Sequence, residues 1–309
     1  MPREDRKEVI GVFLNRISKG SKSWDELLSN ITSGHVIKDI PYTLQYEDIY
    51  LANKINEIDI SAKLSKHTYE YKVKYCISEI VNKFSPNSIF ERLASTQVDS
   101  YITTNYDLTL EKQFEQNGFE ENKDGNDISE QIYSIRRHHS FIGPYESKKD
   151  IWYIHGEAKY PKSIMLGYDH YCGAIGKIDS YIKGNYEYTD KNDKSIRIAS
   201  IAERLKNFDN NIYSWIDLFF IHDIHIIGFG MDYSEKDIWY ILNTGQRYIQ
   251  ENKADITNNI YFYGCIDDAK KELLKDFGIE IKSYPKPQKK TEWTSLYERM
   301  ISDIQNNLS

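Results

Sequence analysis

Apolar and polar positions along this chain follow two alternating rhythms. Short β-prone runs end abruptly on a polar or small residue: Ser100–Thr103 before Asn105 and Asp107, Ile151–Ile154 before His155, and Ile224–Ile227 before Gly228. Between them, apolar residues recur every three or four positions. Val73, Cys76, Ile77, Ile80, Val81 and Phe84 make such a stripe, broken by Pro86, and that period is one face of a helix. Strands alternating with helices predict an α/β protein built on a Rossmann-like, doubly wound parallel sheet. Its ligand crevice should lie at the carboxyl ends of the strands.

The remaining elements follow from the same reading. Residues 40–98 read mainly as helix and suit an inserted helical module. Leu108–Gln116 and Tyr168–Ile182 read as helices, the latter from Tyr171, Ile175, Ile178 and Ile182. Gln131–His139 reads as a strand whose basic end, Arg136 to His139, is either exposed or turned toward phosphate. The polar run Lys183–Lys194 reads as a mobile loop. Asn259–Gly264 and Ile279–Ile281 read as strands around a helix at Asp267–Phe277, and Thr291–Asn307 as a terminal helix.

The first segment supports two readings. Glu8-Val9-Ile10-Gly11 can be a strand entering a glycine turn, or Val9, Ile10, Phe13, Leu14 and Ile17 can be one face of an amphipathic helix ending at Gly20. Local pattern leaves the chemistry open in the same way. Asn105 and Asp107 are either a strand-to-helix turn or cleft residues, since both types favour turns and caps. His155, before Gly156, is either a satisfied turn histidine or a catalytic one. His222 and His225 alternate with apolar residues and read as structural or exposed rather than as a metal pair. Ser234, Glu235 and Asp237 suit a helix start.

Composition narrows the classes. The 309 residues, 40% hydrophobic, suit one large domain. Lys+Arg 40 against Asp+Glu 47 gives a net charge of −7, which argues against a sequence-independent grip on nucleic acid. The start has no signal-peptide pattern and no run of about 18 apolar residues occurs, so a cytoplasmic protein without membrane contact is expected. The three cysteines, Cys76, Cys172 and Cys265, are scattered, without disulfide-framework or zinc spacing. No metal is expected.

Four motifs stand in order: Thr103-Thr104-Asn105-Tyr106-Asp107, Ile154-His155-Gly156, Pro161 to Tyr171, and Ile226 to Ser234. Together they resemble the sirtuin-like NAD-consuming family, and within it the bacterial branch whose members act as anti-phage effectors by hydrolysing NAD. Gly11-Val12-Phe13-Leu14-Asn15-Arg16 lines up with the G-N-G-x-N-R loop of one branch, but Phe13 stands at its second glycine. The resemblance implies a single sirtuin-like domain over residues 1–309, with the helical insertion at about 40–98. It implies that Asn105 positions a water and the nicotinamide ribose, that Asp107 contacts the nicotinamide amide or orients Asn105, and that His155 hydrogen-bonds the ribose hydroxyls and accepts a proton. Gly11, Asn15, Arg16, Thr104, Gly228, Phe229 and Gly230 would contact NAD+, the substrate. Lysine deacylases of the family typically carry a four-cysteine zinc module, which this chain cannot build. The implied activity is therefore hydrolysis of the nicotinamide–ribose bond, held silent in a homo-oligomer or by a separate sensor or ATPase protein. Three other classes stay open: a silent binder of NAD or ADP-ribose, an ADP-ribosyl transferase, and a structural subunit.

Overall fold

The protein is seen in a computed structural model that describes residues 6–14, 17–55, 64, 66–123, 130, 132–190, 192–289 and 291–308. Its centre is an eight-stranded sheet of order β10-β9-β8-β1-β2-β5-β4-β3. The strands are β1 (Glu8–Val12), β2 (Ser100–Thr103), β3 (Glu120–Asn122), β4 (His138–Ile142), β5 (Lys148–Tyr153), β8 (Asp223–Ile227), β9 (Ile260–Gly264) and β10 (Ile279–Ser283). All neighbouring pairs from β10 to β5 are parallel, while β4 and β3 continue the edge antiparallel. This is the expected Rossmann-like α/β sheet.

Strand side chains alternate between two covered faces, as a buried parallel sheet requires. On one face Val9, Ile102, Trp152, Ile224 and Ile226 pack with α6 (Tyr168–Ile182), α7 (Ile201–Lys206), α8 (Trp215–Ile221) and α9 (Lys236–Gln250). On the other, Ile10, Tyr101, Ile151, Tyr153 and Ile227 pack with α4 (Ser88–Ala94), α5 (Thr109–Gln116) and α11 (Glu292–Leu308). The helix α10 (Asp268–Asp276) connects β9 to β10 and adds Leu274 to the first face.

Three further helices, α1 (Trp24–Ile31), α2 (Tyr42–Leu51) and α3 (Tyr69–Val81), form a separate apolar cluster with Ala158, Ile164 and Leu166. The stripe of α3 supplies Val73, Ile77 and Val81 to it. These helices therefore stand over the loop that follows β5, and α4 belongs to the sheet.

Three readings of the sequence are corrected. The amphipathic-helix alternative for the first segment fails: β1 is held between β2 and β8, with Ile10 opposite both Tyr101 and His225. Pairing on both sides overrides a local period. The strand read at Gln131–His139 begins only at His138. Its basic residues are spent inside the protein, Arg137 and His139 on acids and the Arg136 guanidinium over the Tyr188 ring at 3.4 Å. The run Lys183–Lys194 contains β6 (Glu187–Thr189), which pairs with β7 (Ser195–Arg197) as a hairpin. Tyr186, Tyr188, Ile196 and Ile198 pack from it against the core. Among the described residues no helix is long and apolar enough to cross a membrane.

Candidate active site

The end of β2 and the loop after β5 open into one cavity of about 190 Å³, beneath α1, α2 and the end of α3. Its lining brings together Thr104, Asn105, Asp107 and His155, with Trp24, Tyr42, Tyr171 and Glu235 completing the polar wall. Two strand ends deliver these groups because β2 and β5 are parallel neighbours, Thr103 lying opposite Tyr153. Gly156 then fixes the turn. Its φ is +87, and a Cβ there would meet the Ser163 carbonyl oxygen at 2.2 Å, so no other residue fits without moving the loop. The Met165 N–H donates to the His155 carbonyl at 2.9 Å and closes the loop behind the imidazole.

Asn105 is buried, 7% exposed, and its amide oxygen has no hydrogen-bond partner. Its backbone N–H donates to Thr103 Oγ1 at 3.0 Å, which turns the chain out of the strand. One oxygen of Asp107 accepts from the N–H of Thr109, the first residue of α5, at 3.0 Å. Burial pushes its carboxyl upward despite that bond. The turn reading and the cleft reading are both realised at this position.

His155 is 2% exposed. Its Nε2 lies 2.8 Å from Asp237 Oδ2 and 3.7 Å from Glu235 Oε2, and its Nδ1 lies 3.5 Å from the Tyr171 hydroxyl. Tyr171 in turn accepts from the Tyr42 hydroxyl at 2.6 Å. Burial disfavours the imidazolium, but Asp237 and Glu235 outweigh it and the pKa is raised. Glu235 is pushed up to about 7, chiefly by burial, with Asp237 and Asp232 adding to the shift and His155 opposing it. Glu235 Oε2, the oxygen facing His155, Asp237 Oδ1 and the Trp24 indole nitrogen are buried without hydrogen-bond partners. A polar atom buried in this way costs stability unless something meets it, and several such atoms around one cavity are suited to a polar ligand.

Glu235 and Asp237 are the residues that sequence reading missed as chemistry. It took them as a helix start, and they do stand there, Glu235 as the N-cap of α9 and Asp237 one residue inside. What aims them is the loop after β8, where the Ser234 N–H donates to Asp232 Oδ1 at 2.9 Å.

The glycine positions lie apart from this cavity. Sequential strands reverse direction across the sheet between β1 and β8, the usual crevice for a dinucleotide. Here Phe13 and Phe229 stack across that point with ring centroids 4.4 Å apart. A Cβ on Gly11 would meet the Phe13 ring at 2.6 Å, and one on Gly228 would meet Leu14 at 2.4 Å. Both glycines thus admit side chains of the first loop. Gly230 is exposed with open space around it, and Asn15 and Arg16 lie outside the described residues.

A second group of similar composition lies on the other side of β5. Glu157 is fully buried and meets Arg137 Nη1 at 3.0 Å and His139 Nε2 at 2.8 Å. His139 Nδ1 meets Glu121 at 2.6 Å, Lys159 reaches Glu121 at 3.1 Å and Glu111 at 3.4 Å, and the Tyr153 hydroxyl donates to Glu111 at 2.9 Å. In this group and in the His155, Glu235 and Asp237 group, the ligand atoms lie within 4.8 Å of one another, a spacing that a cation could use. His222 and His225, read as structural or exposed, are buried and structural. His222 Nδ1 accepts from the Lys7 N–H at 3.2 Å, and His225 bridges Tyr263 and Glu8.

A parallel sheet with an amide, an imidazole and two carboxylates at its carboxyl edge is the frame of an α/β ligand-binding protein. The family model described as the SIR2-like domain matches residues 99–282, more than half of the chain, and the chain belongs to that family. The match takes in Thr104, Asn105, Asp107, His155, Glu235 and Asp237 and leaves out Gly11, Asn15 and Arg16. No curated protein matches the chain. Family membership connects the site with NAD-related chemistry in general.

Proposed function

We propose that this protein hydrolyses NAD+, breaking the nicotinamide–ribose bond to release nicotinamide and ADP-ribose. The observation that carries the reading is the partnerless amide oxygen of Asn105, buried in the same cavity as the His155 imidazole. The reaction asks little of a protein. The leaving group departs neutral from a cationic ring, positive charge develops on the ribose, and a held water completes the bond. Orientation of ribose and water is the main contribution, together with a proton acceptor. In this reading Asn105 holds water and ribose, His155 holds the ribose hydroxyls, and Asp107 meets the nicotinamide amide with the oxygen not bonded to the Thr109 N–H. The test is NAD+ loss with the purified protein over a range of concentrations. Release of nicotinamide and ADP-ribose, absent in Asn105→Ala and His155→Ala, supports the reading. Loss in both variants within a factor of a few of wild type would sink it.

A second reading is favoured by the Phe13–Phe229 stack at the β1/β8 crevice, where a pyrophosphate would approach the backbone. It makes the chain a silent NAD- or ADP-ribose-binding subunit and predicts saturable binding without turnover. Transfer of ADP-ribose to an acceptor would instead appear as mass added to a target. By the sequence resemblance to anti-phage effectors, we place the hydrolase as a toxic NAD-depleting effector, homo-oligomeric and released by a separate partner. Cellular NAD that stays level during phage challenge would contradict that role.

A further inference from the structure

Hydrolysis needs a group that takes the proton of the attacking water, and three ionisable side chains at the cavity could do so. Asp107 has one oxygen committed to the Thr109 N–H. His155 has its Nε2 on Asp237, whose carboxylate can only accept, so that nitrogen carries a hydrogen. Its Nδ1 has a hydroxyl at 3.5 Å, too long for a good hydrogen bond. Burial disfavours the charged ring, while Asp237 and Glu235 raise its pKa. Glu235 differs from both. Its Oε2 is buried with no hydrogen-bond donor, 3.7 Å from His155 Nε2, Tyr42 bonds the carboxyl group, and its side chain lines the cavity with Asn105.

We propose that Glu235 is the general base of the hydrolysis and that its carboxylate faces the positive charge developing on the ribose, while His155, held by Asp237, acts as a hydrogen-bond donor. This rests on the hydrolase reading. The electron pair of the C1′–N bond leaves with nicotinamide and neutralises its ring. Water oxygen forms the new bond to C1′, and its proton passes to Glu235, which returns it to solvent.

The surroundings suit the task. Glu235 is met by Tyr42 from α2, Tyr106 from the loop after β2, His155 after β5, Tyr171 from α6, Asp232 from the loop after β8 and Asp237 from α9. The tyrosines are held neutral, their pKa values raised mainly by burial. Glu235 therefore has His155 as its nearby counter-charge and two acids working against its ionisation. A base whose pKa lies near the working pH combines a useful ionised fraction with a strong pull on the proton, and Glu235 at about 7 meets that condition.

The test compares wild type, Glu235→Gln and Glu235→Ala, all checked for unchanged melting. Wild type should lose kcat as pH falls through about 7. Glu235→Gln should fall by about 10²- to 10⁴-fold, the range for removal of a general base, and lose that acid limb. Glu235→Ala should be rescued by azide, which attacks without surrendering a proton and gives azido-ADP-ribose. A wild type that hydrolyses NAD+ while Glu235→Gln keeps its rate within threefold, or keeps the limb, would overturn the assignment and leave the hydrolase reading standing. If purified wild type turns nothing over, the protein is either held silent, as the effector role implies, or is no hydrolase. Binding then decides whether the carboxylate faces the nicotinamide ribose. Preference for NAD+ over NADH that strengthens above pH 7 and vanishes in Glu235→Gln supports that placement, and an unchanged preference removes it.

Discussion

Two imidazole–carboxylate groups flank β5, and they differ in how their charge is balanced. Around His139, the carboxylates of Glu111, Glu121 and Glu157 face Arg137, Lys159 and the imidazole itself, whose pKa they raise. Among the described residues, none of those acids has a buried oxygen without a partner. Around His155, Asp237 and Glu235 share one imidazole, and each keeps a buried oxygen without a donor. Cavity size points the other way, because the cleft beside His139 encloses about 970 Å³ against 190 Å³ for the cavity beside His155. Compensation is the better guide. A network that satisfies itself has nothing left to offer a substrate, whereas unmet oxygens next to a titratable ring are an unfinished arrangement.

The sharpest break between the two groups should come from their histidines. His155→Ala should lower NAD+ hydrolysis per folded molecule about 10²- to 10⁴-fold if it orients the ribose and sets the charge of Glu235. His139→Ala should destabilise the fold and leave turnover per folded molecule as it was. Rates of both variants, normalised to the folded fraction, measure this. Equal catalytic losses would erase the distinction.

The compensated group should show its worth in stability. Arg137→Met leaves Glu157 fully buried beside one cation fewer, and breaking a buried pair from one side costs about 3–5 kcal/mol. Urea unfolding would read this directly, and a loss below about 1 kcal/mol would mean that water or a shifted Lys159 meets Glu157 instead. The pH dependence has a definite sign. His139 has a raised pKa, with burial opposing and Glu157, Glu111 and Glu121 favouring the charge. Its contribution is complete below its unfolded pKa and is lost as pH rises through the folded one.

Much of this was legible in the sequence, and the residues show why. β2, the run that delivers His155, and α6 declare themselves by local alternation or period, and the helix read at Tyr168–Ile182 matches the observed bounds. Asn105, Asp107 and His155 were visible as polar stops to apolar strands. The pairing of His155 with Asp237 was not, since the partners are separated by 82 positions and meet only because separate strand-end loops reach one edge of the sheet. The hairpin of β6 and β7 was hidden by its polar residues, although Tyr186 and Tyr188 already alternate in the sequence. Arg136 to Arg137 looked like an exposed basic end because no local pattern reveals a buried acid such as Glu157.

Glu235 shares the sign of His139's pH dependence, stability falling as pH rises, but through a cost that appears rather than a contribution that is lost. Its pKa rises from 4.5 to about 7 on folding, so the fold disfavours its ionised form. No cost exists below pH 4.5. It grows as pH rises and is complete above about 7, where the difference of 2.5 units corresponds to up to about 3 kcal/mol. Glu235→Gln should therefore stabilise the protein at pH 8 and change little at pH 4.5. Parallel urea titrations at the two pH values check this, and a variant no more stable than wild type at pH 8 would show that the carboxylate is better solvated than its burial suggests. Gain of stability with loss of rate is the pattern of a group kept for function.

The smallest effect should come from removing metal ions, although both groups have the spacing to hold one. Around His139, a divalent ion would have to enter beside Arg137 and Lys159, two cations that already hold the acids. Around His155 it would take up the oxygens whose negative field should face the ribosyl cation, and would compete with the imidazole for Asp237. Coulomb attraction to the developing charge would then turn to repulsion at the same short range. A chelator should leave the rate of NAD+ hydrolysis within about twofold, and added zinc should inhibit in proportion to its occupancy at the Glu235 carboxylate, an inhibition that Glu235→Gln weakens. Abolition by the chelator and restoration by one metal would reverse the comparison, making the uncompensated oxygens ligands of an ion rather than the face presented to the substrate.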